Sequence, residues 1–351
     1  MKLLRKLLRR SHYRPERVTV DATYACNLRC VHCSATCLAR PDGEELRTGE
    51  LRVLFEDLAE CGAQTLTLTG GELLMRRDWL EVATSAAKRF RLVLYSNATL
   101  FTEADARALA ALRPYQVEVT VYGASERTYE AVTGVAGSFE AFRQGLRRLK
   151  EAGVRVAPKF LMLQENAHEW RQVWEDYAGY EGFRWDVQIS PRLDGDAGPC
   201  AHRAAAEHLT ALMAQAGIPA AAEPDRSAGS LPCDLGRRGC VITAYGDVWP
   251  CGLLPTVMGN VRETGFRSIW AGEAFARVRK MTLGELGKCR ECDALAYCRP
   301  CWGLNLLEGG DACRASAESC RIARLKMAAA GTAGRMQIPA AGPDCSPADA
   351  R

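Results

Sequence analysis

Hydrophobic and polar residues alternate along the first 220 or so residues in two distinct patterns. Residues 65–69 alternate with a period of two, which is typical of a strand with one buried face, and Gly70-Gly71 ends it. Apolar residues at positions 51, 54, 55 and 58 recur instead at helical spacing, between a candidate cap at Thr48 and a stop at Gly62. Short strands and longer helices are therefore predicted to follow one another through this part of the chain.

Six strand candidates show this alternation. They lie at residues 17–20, 65–69, 91–96, 117–121, 154–163 and 185–189, and helical patterns separate them. Successive strands joined by helices pair in parallel, because a parallel connection needs a long crossover. Six units are fewer than the eight of a closed barrel. We therefore predict an α/β fold, a partial TIM-like (β/α)6 barrel that stays open.

The pattern changes near Ile218-Pro219. Cysteines, glycines and short segments dominate from there to Cys320, where burial alone offers little stability and bound metal can supply folding free energy. We accordingly divide the chain into a basic N-terminal segment at 1–16, the partial barrel at 17–220 and a small cysteine-rich domain at 221–327. The residues at 328–351, rich in Ala, Gly and Pro, are expected to form a flexible tail.

Composition narrows the class of protein. Lys and Arg number 46 against 42 Asp and Glu, and the resulting charge of +4 is too small to indicate a nucleic-acid partner. No apolar run is long enough to cross a bilayer, and the basic N-terminus makes a poor secretory signal, so we expect a cytoplasmic protein. In that compartment the 16 cysteines indicate metal or redox chemistry rather than disulfides.

Three cysteines follow the first strand as Cys26-x3-Cys30-x2-Cys33. The carboxyl ends of parallel strands are where sites are built, and thiolates suit iron–sulfur clusters, of which a [4Fe–4S] cube normally takes four. Three close ligands would leave one iron open. Two alternatives stay open at this point: a zinc site that includes His32, and a cube closed by Cys37.

This triplet resembles the signature of the radical S-adenosylmethionine enzymes. The resemblance implies that Cys26, Cys30 and Cys33 hold the catalytic cluster and that its open iron chelates the amino and carboxylate groups of S-adenosylmethionine. It further implies that an electron from the reduced cluster cleaves the cofactor, giving a 5′-deoxyadenosyl radical that abstracts hydrogen from a substrate. The protein would orient the cofactor and exclude water.

Later segments extend the resemblance. Residues 70–72 are similar to the family's GGE motif, in which the glycines admit the methionyl part and the carboxylate accepts from its ammonium. Residues 95–99 resemble the ribose-contact segment, residues 119–125 resemble the fourth-strand segment, and Asn166 lies near a further contact position. The cofactor-binding residues implied in this way are Gly70, Gly71, Glu72, Asn97, Thr120 and Lys159. A turn former at position 97 and an ordinary strand residue at position 120 are the alternatives.

A second group of cysteines begins at Cys233. Its centre is the run C-x2-C-x5-C-x2-C at 289–301, which is dense enough to indicate metal by itself, and two zinc sites are the alternative to clusters. The group resembles the SPASM extension of radical S-adenosylmethionine enzymes and includes the expected Gly246-x4-Cys251 turn. The run departs from the SPASM pattern by ending in x2 rather than x3.

The SPASM resemblance implies two auxiliary clusters, which would give three [4Fe–4S] clusters in all. Cluster I would be held by Cys233, Cys240, Cys251 and Cys301. Cluster II would be held by Cys289, Cys292, Cys298 and Cys320. Cys240 is the weakest member, because it lies outside the minimal pattern, and cluster I would have an open iron without it. Cys313 is the rival of Cys320.

The resemblance favours a peptide substrate, because enzymes of this layout mostly modify ribosomally made peptides by forming crosslinks, thioethers or oxidised residues. A tetrapyrrole or another small molecule is the alternative, and a non-catalytic electron carrier or zinc-structured binding module is the third hypothesis. Only 25 residues precede Cys26, too few for an N-terminal peptide-recognition domain, so leader recognition is expected from a separate partner protein or from the rim of the barrel. A flavodoxin or ferredoxin is expected as the electron donor.

Polar residues follow the sixth predicted strand at 190–196 and are expected to face the mouth of the barrel. Asp194, Asp196 or Arg192 would hold substrate or accept a proton there. A polar Asp-Gly turn explains the same residues without a functional role. Cys200, just beyond, would donate a hydrogen atom unless it is a plain surface thiol.

Overall fold

The computed structural model describes residues 13–40, 43–218 and 223–331. Its strands are β1 (Arg17–Thr23), β2 (Thr65–Gly70), β3 (Arg91–Ser96), β4 (Gln116–Val121), β5 (Val156–Leu161), β6 (Arg184–Asp186), β7 (Gly239–Ile242) and β8 (Val248–Trp249). They form one sheet in the order β6-β5-β4-β3-β2-β1-β7-β8. Neighbouring strands are parallel from β6 through β7, and β8 runs antiparallel to β7. The expected α/β partial barrel of six parallel strands is confirmed.

Helices connect these strands and cover the outside of the sheet. The barrel helices are α1 (Thr48–Glu60), α2 (Trp79–Ala87), α3 (Glu103–Ala111), α4 (Glu126–Thr133), α5 (Ser138–Glu151), α6 (Trp170–Tyr177) and α7 (Ala206–Ala216). The C-terminal part adds α8 (Phe266–Trp270), α9 (Glu273–Val278), α10 (Trp302–Gly309) and α11 (Ala317–Gly331). Helices α4 and α5 both follow β4, and each of the other barrel strands is followed by one helix.

Strands β1 and β2 have an apolar outer face and a mostly polar inner face. In β1, Val18 and Val20 are buried in the main core, while Thr19 and Asp21 point to the opposite side of the sheet. The threonines of β2 continue the inner face in the same way. A closed barrel fills its interior with branched apolar side chains. The polar inner face here leaves room for a polar ligand instead.

The sixth strand is shorter than the sequence predicts. The pattern indicated residues 185–189, but β6 ends at Asp186. The carboxylate of Asp186 accepts hydrogen bonds from the backbone N–H groups of Val187 (2.8 Å) and Gln188 (3.1 Å). These two side-chain hydrogen bonds direct the backbone away from the hydrogen-bond ladder that β6 forms with β5. Val187 and Ile189 remain buried, which is why their pattern resembled a continuing strand.

The cysteine-rich part joins the barrel through its first strand. Strand β7 pairs with β1 from Arg17↔Gly239 to Val20↔Ile242, so the sheet continues past the six expected strands. The same part also has a small core of its own, made of Leu235, Leu254, Leu283, Leu286, Leu295 and Trp302. Several cysteines pack against this second core, and apolar burial therefore contributes to its stability beside any metal.

Parts of the expected domain division fall on residues outside the described ranges. The basic segment at 1–16 is described only from Tyr13 onward, and the boundary near 220 lies in 219–222, which are not described. Helix α11 continues to Gly331, past the expected start of the tail at 328, and 332–351 lie outside the description. Within the described part of the chain, no helix combines the length and apolar character needed to cross a bilayer.

A glycine decides how closely α5 approaches the end of β3. A Cβ built on Gly145 would stand 1.7 Å from the carbonyl oxygen of Ala98, which is far inside van der Waals contact. Ala98 itself has a left-handed φ of 61°, in the turn that follows β3. The helix therefore helps to hold this turn, and only glycine permits the contact.

We expect Gly145→Ala to lower the free energy of unfolding by about 2 kcal/mol, because the added carbon forces the helix away from the Ala98 turn. Urea unfolding followed by circular dichroism measures this. Gly49→Ala is the matched control, since a Cβ at Gly49 meets nothing within 4 Å and alanine is the better helix former. Equal unfolding midpoints for the two variants would contradict the described packing.

Candidate cofactor cavity and cysteine clusters

The first cysteine triplet lies on a loop that the backbone fixes at the carboxyl end of β1. The N–H of Arg29 donates to the carbonyl of Thr133 (2.9 Å), and the N–H of Val31 donates to the carbonyl of Val132 (3.0 Å). Within the loop, the N–H of Leu28 donates to Cys26 Sγ (3.4 Å). These bonds tie the loop to the end of α4 and direct its thiols toward the open edge of the sheet.

A cavity of about 220 Å³ opens beside this loop. Seven of the residues that the sequence analysis singled out contribute to its wall: Cys26, Cys30, Cys33, Gly70, Gly71, Asn97 and Thr120. They come from the ends of four neighbouring strands, β1 to β4, which is where ligands bind in open parallel sheets. The structure thus brings together residues separated by up to 94 positions in the chain.

The two glycines at the end of β2 are required by close backbone contacts. A Cβ on Gly70 would stand 2.1 Å from the carbonyl oxygen of Thr23, and Gly70 has a φ of 122°. A Cβ on Gly71 would stand 2.3 Å from the carbonyl oxygen of Ala25. The glycines therefore let β2 close against the start of the cysteine loop and expose their backbone to the cavity.

Glu72, which follows the two glycines, is enclosed by its neighbours. Its side chain is fully buried and is not part of the cavity wall. Its carboxylate accepts hydrogen bonds from the N–H of Asn97 (2.7 Å) and from Ser96 Oγ (3.0 Å). Burial raises the pKa of Glu72, and these hydrogen bonds oppose that rise. Glu72 thus lies behind the cavity wall in this structure, and its contact with a cofactor ammonium stays a prediction.

Asn97 is held by both neighbouring segments. Its Nδ2 donates to Asn27 Oδ1 (3.0 Å), and its Oδ1 accepts from the N–H of Thr99 (2.9 Å). Asn27 in turn donates to Thr99 Oγ1 (2.8 Å). The turn after β3 and the cysteine loop therefore form one hydrogen-bonded unit, with Asn97 at its centre.

The thiols of the triplet are suited to the positively charged core of an iron–sulfur cluster. Burial raises the pKa of Cys30 to about 12, and the neighbouring Cys33 adds to the rise. Burial raises the pKa of Cys26 and of Cys33 as well. Such thiols become thiolates only beside positive charge, which the iron atoms of a [4Fe–4S] cluster supply. In the described ranges no three His, Cys, Asp or Glu side chains converge on one ion position, and a cube binds each thiolate at a separate iron.

His32 and Tyr122 complete the wall beside Cys30, where His32 had been expected only as an alternative zinc ligand and Tyr122 only as part of the 119–125 segment. The Tyr122 hydroxyl lies 3.4 Å from His32 Nε2, and it also helps to stabilise the Cys30 thiolate. Burial lowers the pKa of His32 to about 4, so the ring is neutral at pH 7. His32 Nδ1 is buried with no partner among the described residues, as expected of a donor meant for a bound group. The only sequence signal was their position inside the two motifs.

Two other barrel residues named from the sequence, Lys159 and Asn166, lie away from this cavity wall. Lys159 Nζ forms an ion pair with Asp186 Oδ2 (3.1 Å) on the inner face, one strand beyond Thr120. Asn166 is buried and donates to the carbonyls of Tyr122 (3.0 Å) and Leu161 (2.9 Å), which is a structural role. Neither residue lines the cavity.

Asp194 and Asp196 belong to a self-contained turn. The N–H of Asp196 donates to Asp194 Oδ1 (3.0 Å), and the N–H of Gly198 donates to Asp196 Oδ1 (2.7 Å). Arg192 forms ion pairs with both carboxylates, at 3.5 and 3.3 Å. These exposed contacts favour the turn over the expected substrate role, because the carboxylates already serve local donors. The turn still touches the cysteine loop, since the N–H of Leu193 donates to the Ser34 carbonyl (3.0 Å).

Three of the four cysteines expected at cluster I are neighbours. Burial raises the pKa of Cys251, and Cys233 adds to the rise. Burial also raises the pKa of Cys301, with a contribution from Cys251. The N–H of Leu304 donates to Cys301 Sγ (3.5 Å), a contact of the kind that tunes cluster potentials.

Cys240 lies apart from these three cysteines, and its part in the expected ligand set stays a prediction. It lies on β7, is 6% exposed and packs in the main core. Burial raises its pKa, and the charged or titratable groups that act on it are Arg279 and Cys61. The physical reason is the strand alternation, which turns position 240 toward the helices together with its neighbour Val18 on β1.

Three of the expected cluster II cysteines are also neighbours. Burial raises the pKa of Cys298 to about 11, and Cys289 and Cys292 add to the rise. Lys326 of α11 acts on the same thiol, and α11, which carries Cys320, packs against the short turn Asp293–Tyr297. The exposed Cys313 lies instead near the carboxylates of Asp311 and Glu285. This placement favours Cys320 over Cys313, and the fourth ligand stays a prediction.

Comparisons with known proteins agree with this geometry. The family model of the radical SAM superfamily (SAM, S-adenosylmethionine) matches residues 20–176. The model of the SPASM iron–sulfur cluster-binding domain matches residues 233–293. AdoMet-dependent heme synthase of Methanosarcina barkeri is 28% identical over 335 residues, which cover 85% of this chain and 94% of that protein. Mycofactocin maturase MftC of Mycolicibacterium smegmatis is 26% identical over 80% of this chain and 76% of its own length.

Solved structures share the fold. Native anSMEcpe with bound AdoMet and the Cp18Cys peptide has a TM-score of 0.68 at 14% identity, covering 91% of this chain and 97% of its own. SuiB of Streptococcus suis bound to precursor peptide SuiA has a TM-score of 0.64 at 14% identity, covering 91% and 78%. The chain therefore contains a radical SAM domain at residues 20–176 and a SPASM domain at residues 233–293. These two domains imply an enzyme that uses iron–sulfur clusters and S-adenosylmethionine.

We expect Glu72→Gln to weaken S-adenosylmethionine binding about tenfold, because the amide leaves only one acceptor oxygen for the donors of Asn97 and Ser96, and a lost hydrogen bond is worth about 1 kcal/mol. Calorimetric titration of the cluster-loaded protein measures the affinity. Glu103→Gln removes an exposed carboxylate of α3 and serves as the control. An unchanged affinity in Glu72→Gln, with full iron content, would contradict a role of Glu72 in holding Asn97 for the cofactor.

Proposed function

We propose that this protein uses S-adenosylmethionine and a reduced cluster to abstract a hydrogen atom from a substrate held inside the partial barrel. One observation carries the proposal: a single cavity joins the three thiols of the cysteine loop to the glycine backbone after β2 and to Asn97 after β3. When bound, the cluster and cofactor supply a one-electron cleavage that generates the 5′-deoxyadenosyl radical. The domain matches favour this function over the non-catalytic hypothesis.

The chain's own residues bind the cluster, orient the cofactor and shield both from water. Cys26, Cys30 and Cys33 hold the cluster, and the backbone of Gly70-Gly71 admits the methionyl part of the cofactor without steric conflict. Asn97 is fixed by four hydrogen bonds and offers a rigid contact at the ribose end. The aromatic and imidazole rings beside Cys30 keep water from that side of the cluster.

The polar inner face supplies the substrate side of the site. Tyr95 lines the cavity and stands opposite Glu118 in the β3–β4 register. Glu118 forms an ion pair with Arg184 of β6, and Lys159 forms its pair with Asp186. Two cations and two carboxylates therefore face the chamber next to the cofactor cavity. Such a wall suits a substrate with several polar or charged groups rather than a purely apolar one.

A ribosomally made peptide is one substrate class that we propose. The relatives that support it are mycofactocin maturase MftC at 26% identity, sporulation killing factor maturation protein SkfB at 28% and PqqA peptide cyclase at 23%. On this proposal a separate leader-recognition protein presents the peptide. A flavodoxin or ferredoxin delivers the electron on either substrate proposal.

A tetrapyrrole is a second substrate class with equal support. Heme synthases of three organisms are 26–28% identical over 80–85% of this chain, and Fe-coproporphyrin III synthase is 33% identical over 169 residues. The propionate carboxylates of such a substrate can pair with cations. On this proposal they replace Asp186 and Glu118 as the partners of Lys159 and Arg184 on the inner face.

The SPASM domain is proposed to hold two auxiliary clusters and thereby bring the chain to three. Cluster II would use Cys289, Cys292, Cys298 and Cys320. Cluster I would use Cys233, Cys251 and Cys301. Clusters in this position carry electrons between the reaction chamber and the outside, with potentials set by burial and by backbone N–H contacts to sulfur.

Anaerobically reconstituted protein with dithionite and S-adenosylmethionine is expected to form 5′-deoxyadenosine, which liquid chromatography quantifies. Cys30→Ala should reduce the product to the level without dithionite, because the cluster loses a ligand. Cys37→Ala should retain it, since the Cys37 thiol faces the Ser34 carbonyl (3.5 Å) and lies outside the cavity wall. A cube closed by Cys37 would instead give no product in the unaltered protein, and Cys37→Ala would then restore product by opening one iron.

Two measurements distinguish the substrate classes: binding of a porphyrin, and the mass of a coexpressed peptide. Fe-coproporphyrin III is expected to bind with a shift of its visible absorbance if the tetrapyrrole proposal holds, and Lys159→Gln should weaken that binding about tenfold through loss of a charge-assisted contact. Arg107→Gln, on the exposed face of α3, is the control. A mass change in a coexpressed peptide encoded beside the gene, without porphyrin binding, would establish the peptide class instead.

A further inference from the structure

A groove of about 560 Å³ opens on the outside of the barrel, between α5 and the end of α6. Its lining includes the exposed cations Arg143, Arg147 and Lys150 of α5 and the exposed carboxylate of Asp176. Arg143 and Arg147 pair with carboxylates of their own helix at 3.9 Å, and exposed pairs of this length contribute little. The groove therefore presents a mainly positive surface to solvent.

Aromatic rings form the floor of this groove. Phe139, Tyr177 and Tyr180 line it, and each of them is half-buried. The Arg143 guanidinium lies 5.7 Å from the centre of the Phe139 ring, and Lys150 Nζ lies 5.3 Å from the centre of the Tyr180 ring. These contacts hold the charges over an apolar floor. A basic rim above exposed aromatic rings is typical of a surface that binds another protein.

The rings of this floor continue inward to the cofactor cavity. The centre of the Phe139 ring lies 5.5 Å from that of Tyr129 on α4, and Tyr129 lies 5.6 Å from Tyr122. Tyr129 and Tyr122 are buried, and Tyr122 lines the cofactor cavity together with Cys30. Rings packed at these distances leave no room for water between them. A continuous row of side chains therefore joins the groove to the first cysteine loop.

Helix α4 also connects the two places through its backbone. It carries Tyr129, and the carbonyls of Val132 and Thr133 near its end accept the hydrogen bonds of the cysteine loop. A partner seated on the groove would thus lie against the elements that hold the first cluster. Because the row of rings ends at Cys30, where an electron is needed, the groove suits an electron carrier better than a protein that presents substrate.

We propose that the groove between α5 and α6 is the docking site of a one-electron carrier protein with an acidic surface around its redox group. This inference rests on the proposed function, because it presupposes a first cluster that must be reduced. The carrier is oxidised by one electron and the cluster is reduced by one electron, and no proton or atom is transferred. Opposite charges on the two surfaces would speed the encounter and set the orientation of the carrier.

An acidic flavodoxin is the probe for docking. Calorimetry of its oxidised form with the cluster-loaded protein measures binding without any turnover, so the result does not depend on cleavage of S-adenosylmethionine. We expect the affinity to fall about tenfold when the salt concentration rises from about 50 to about 300 mM, because salt screens the exposed charges. An affinity of the unaltered protein that does not change with salt would overturn the proposal, and this measurement needs no substitution.

Charge reversal locates the docking site. Arg147→Glu combined with Lys150→Glu should weaken binding at low salt about tenfold and remove most of its salt dependence. Arg52→Glu combined with Lys88→Glu is the matched control, because these cations line a groove of about 630 Å³ between α1 and α2. Circular dichroism establishes that each variant is folded. Equal affinities of the two double variants would overturn the proposal.

Reduction kinetics then test whether docking at the groove delivers the electron. Stopped-flow absorbance follows oxidation of the reduced flavodoxin, which should be about tenfold slower with the groove variant at low salt. Dithionite needs no docking site, so the same variant should form 5′-deoxyadenosine with dithionite as fast as the unaltered protein does. Loss of the dithionite-driven product in the folded groove variant would overturn the proposal, because the groove would then act on the reaction itself.

The dithionite reaction of the unaltered protein keeps the two proposals distinguishable. Absence of 5′-deoxyadenosine from that reaction would reject the proposed function. Formation of 5′-deoxyadenosine, together with flavodoxin binding that the groove variant leaves unchanged, would retain the proposed function and reject the docking site.

Discussion

The buried carboxylate of Glu72 is the interaction on which the candidate active site depends. It lies behind the cavity wall and binds the backbone and side chains at the end of β3. Its own N–H donates to the carbonyl of Ala25 (2.9 Å), immediately before the first cluster cysteine. One residue at the end of β2 therefore links the cysteine loop to the Asn97 turn. A charge buried so completely is costly unless it is fully hydrogen-bonded, and here that cost is offset by several donors at once.

The two faces of the barrel strands have different roles: the outer faces stabilise the fold, and the inner faces line the reaction chamber. The outer faces are apolar and form the main core with the helices, as Leu66 and Leu68 do on β2. The inner faces are polar and carry paired charges such as Lys159 and Asp186. Because the charges are paired, the chamber can hold them without large unbalanced electrostatic energy. The fold is thus stabilised by packing between the outer strand faces and the helices, and the inner faces are left free to contact ligands.

The SPASM part is joined to the barrel rather than tethered beside it. Its strand β7 completes the sheet next to β1, and Arg262 reaches back to Glu50 on α1 at 2.7 Å. The same guanidinium lowers the pKa of Glu50 to about 2. These contacts place the auxiliary cysteines at a fixed position relative to β1, the strand that leads into the first cluster loop. A fixed separation between clusters is what electron transfer and a shared reaction chamber require.

The sequence by itself determined the class of fold and most of the first site. Strand alternation and helical spacing are local properties, so the six parallel strands were predictable, and the spacing of Cys26, Cys30 and Cys33 carried the cluster chemistry. Only the tertiary structure decided which side each side chain faces across the sheet. That is why the sequence did not show that Glu72 lies behind the cavity wall, that Cys240 is buried in the main core or that His32 and Tyr122 are neighbours beside Cys30. Their partners come from distant segments, and spacing along the chain holds no information about such contacts.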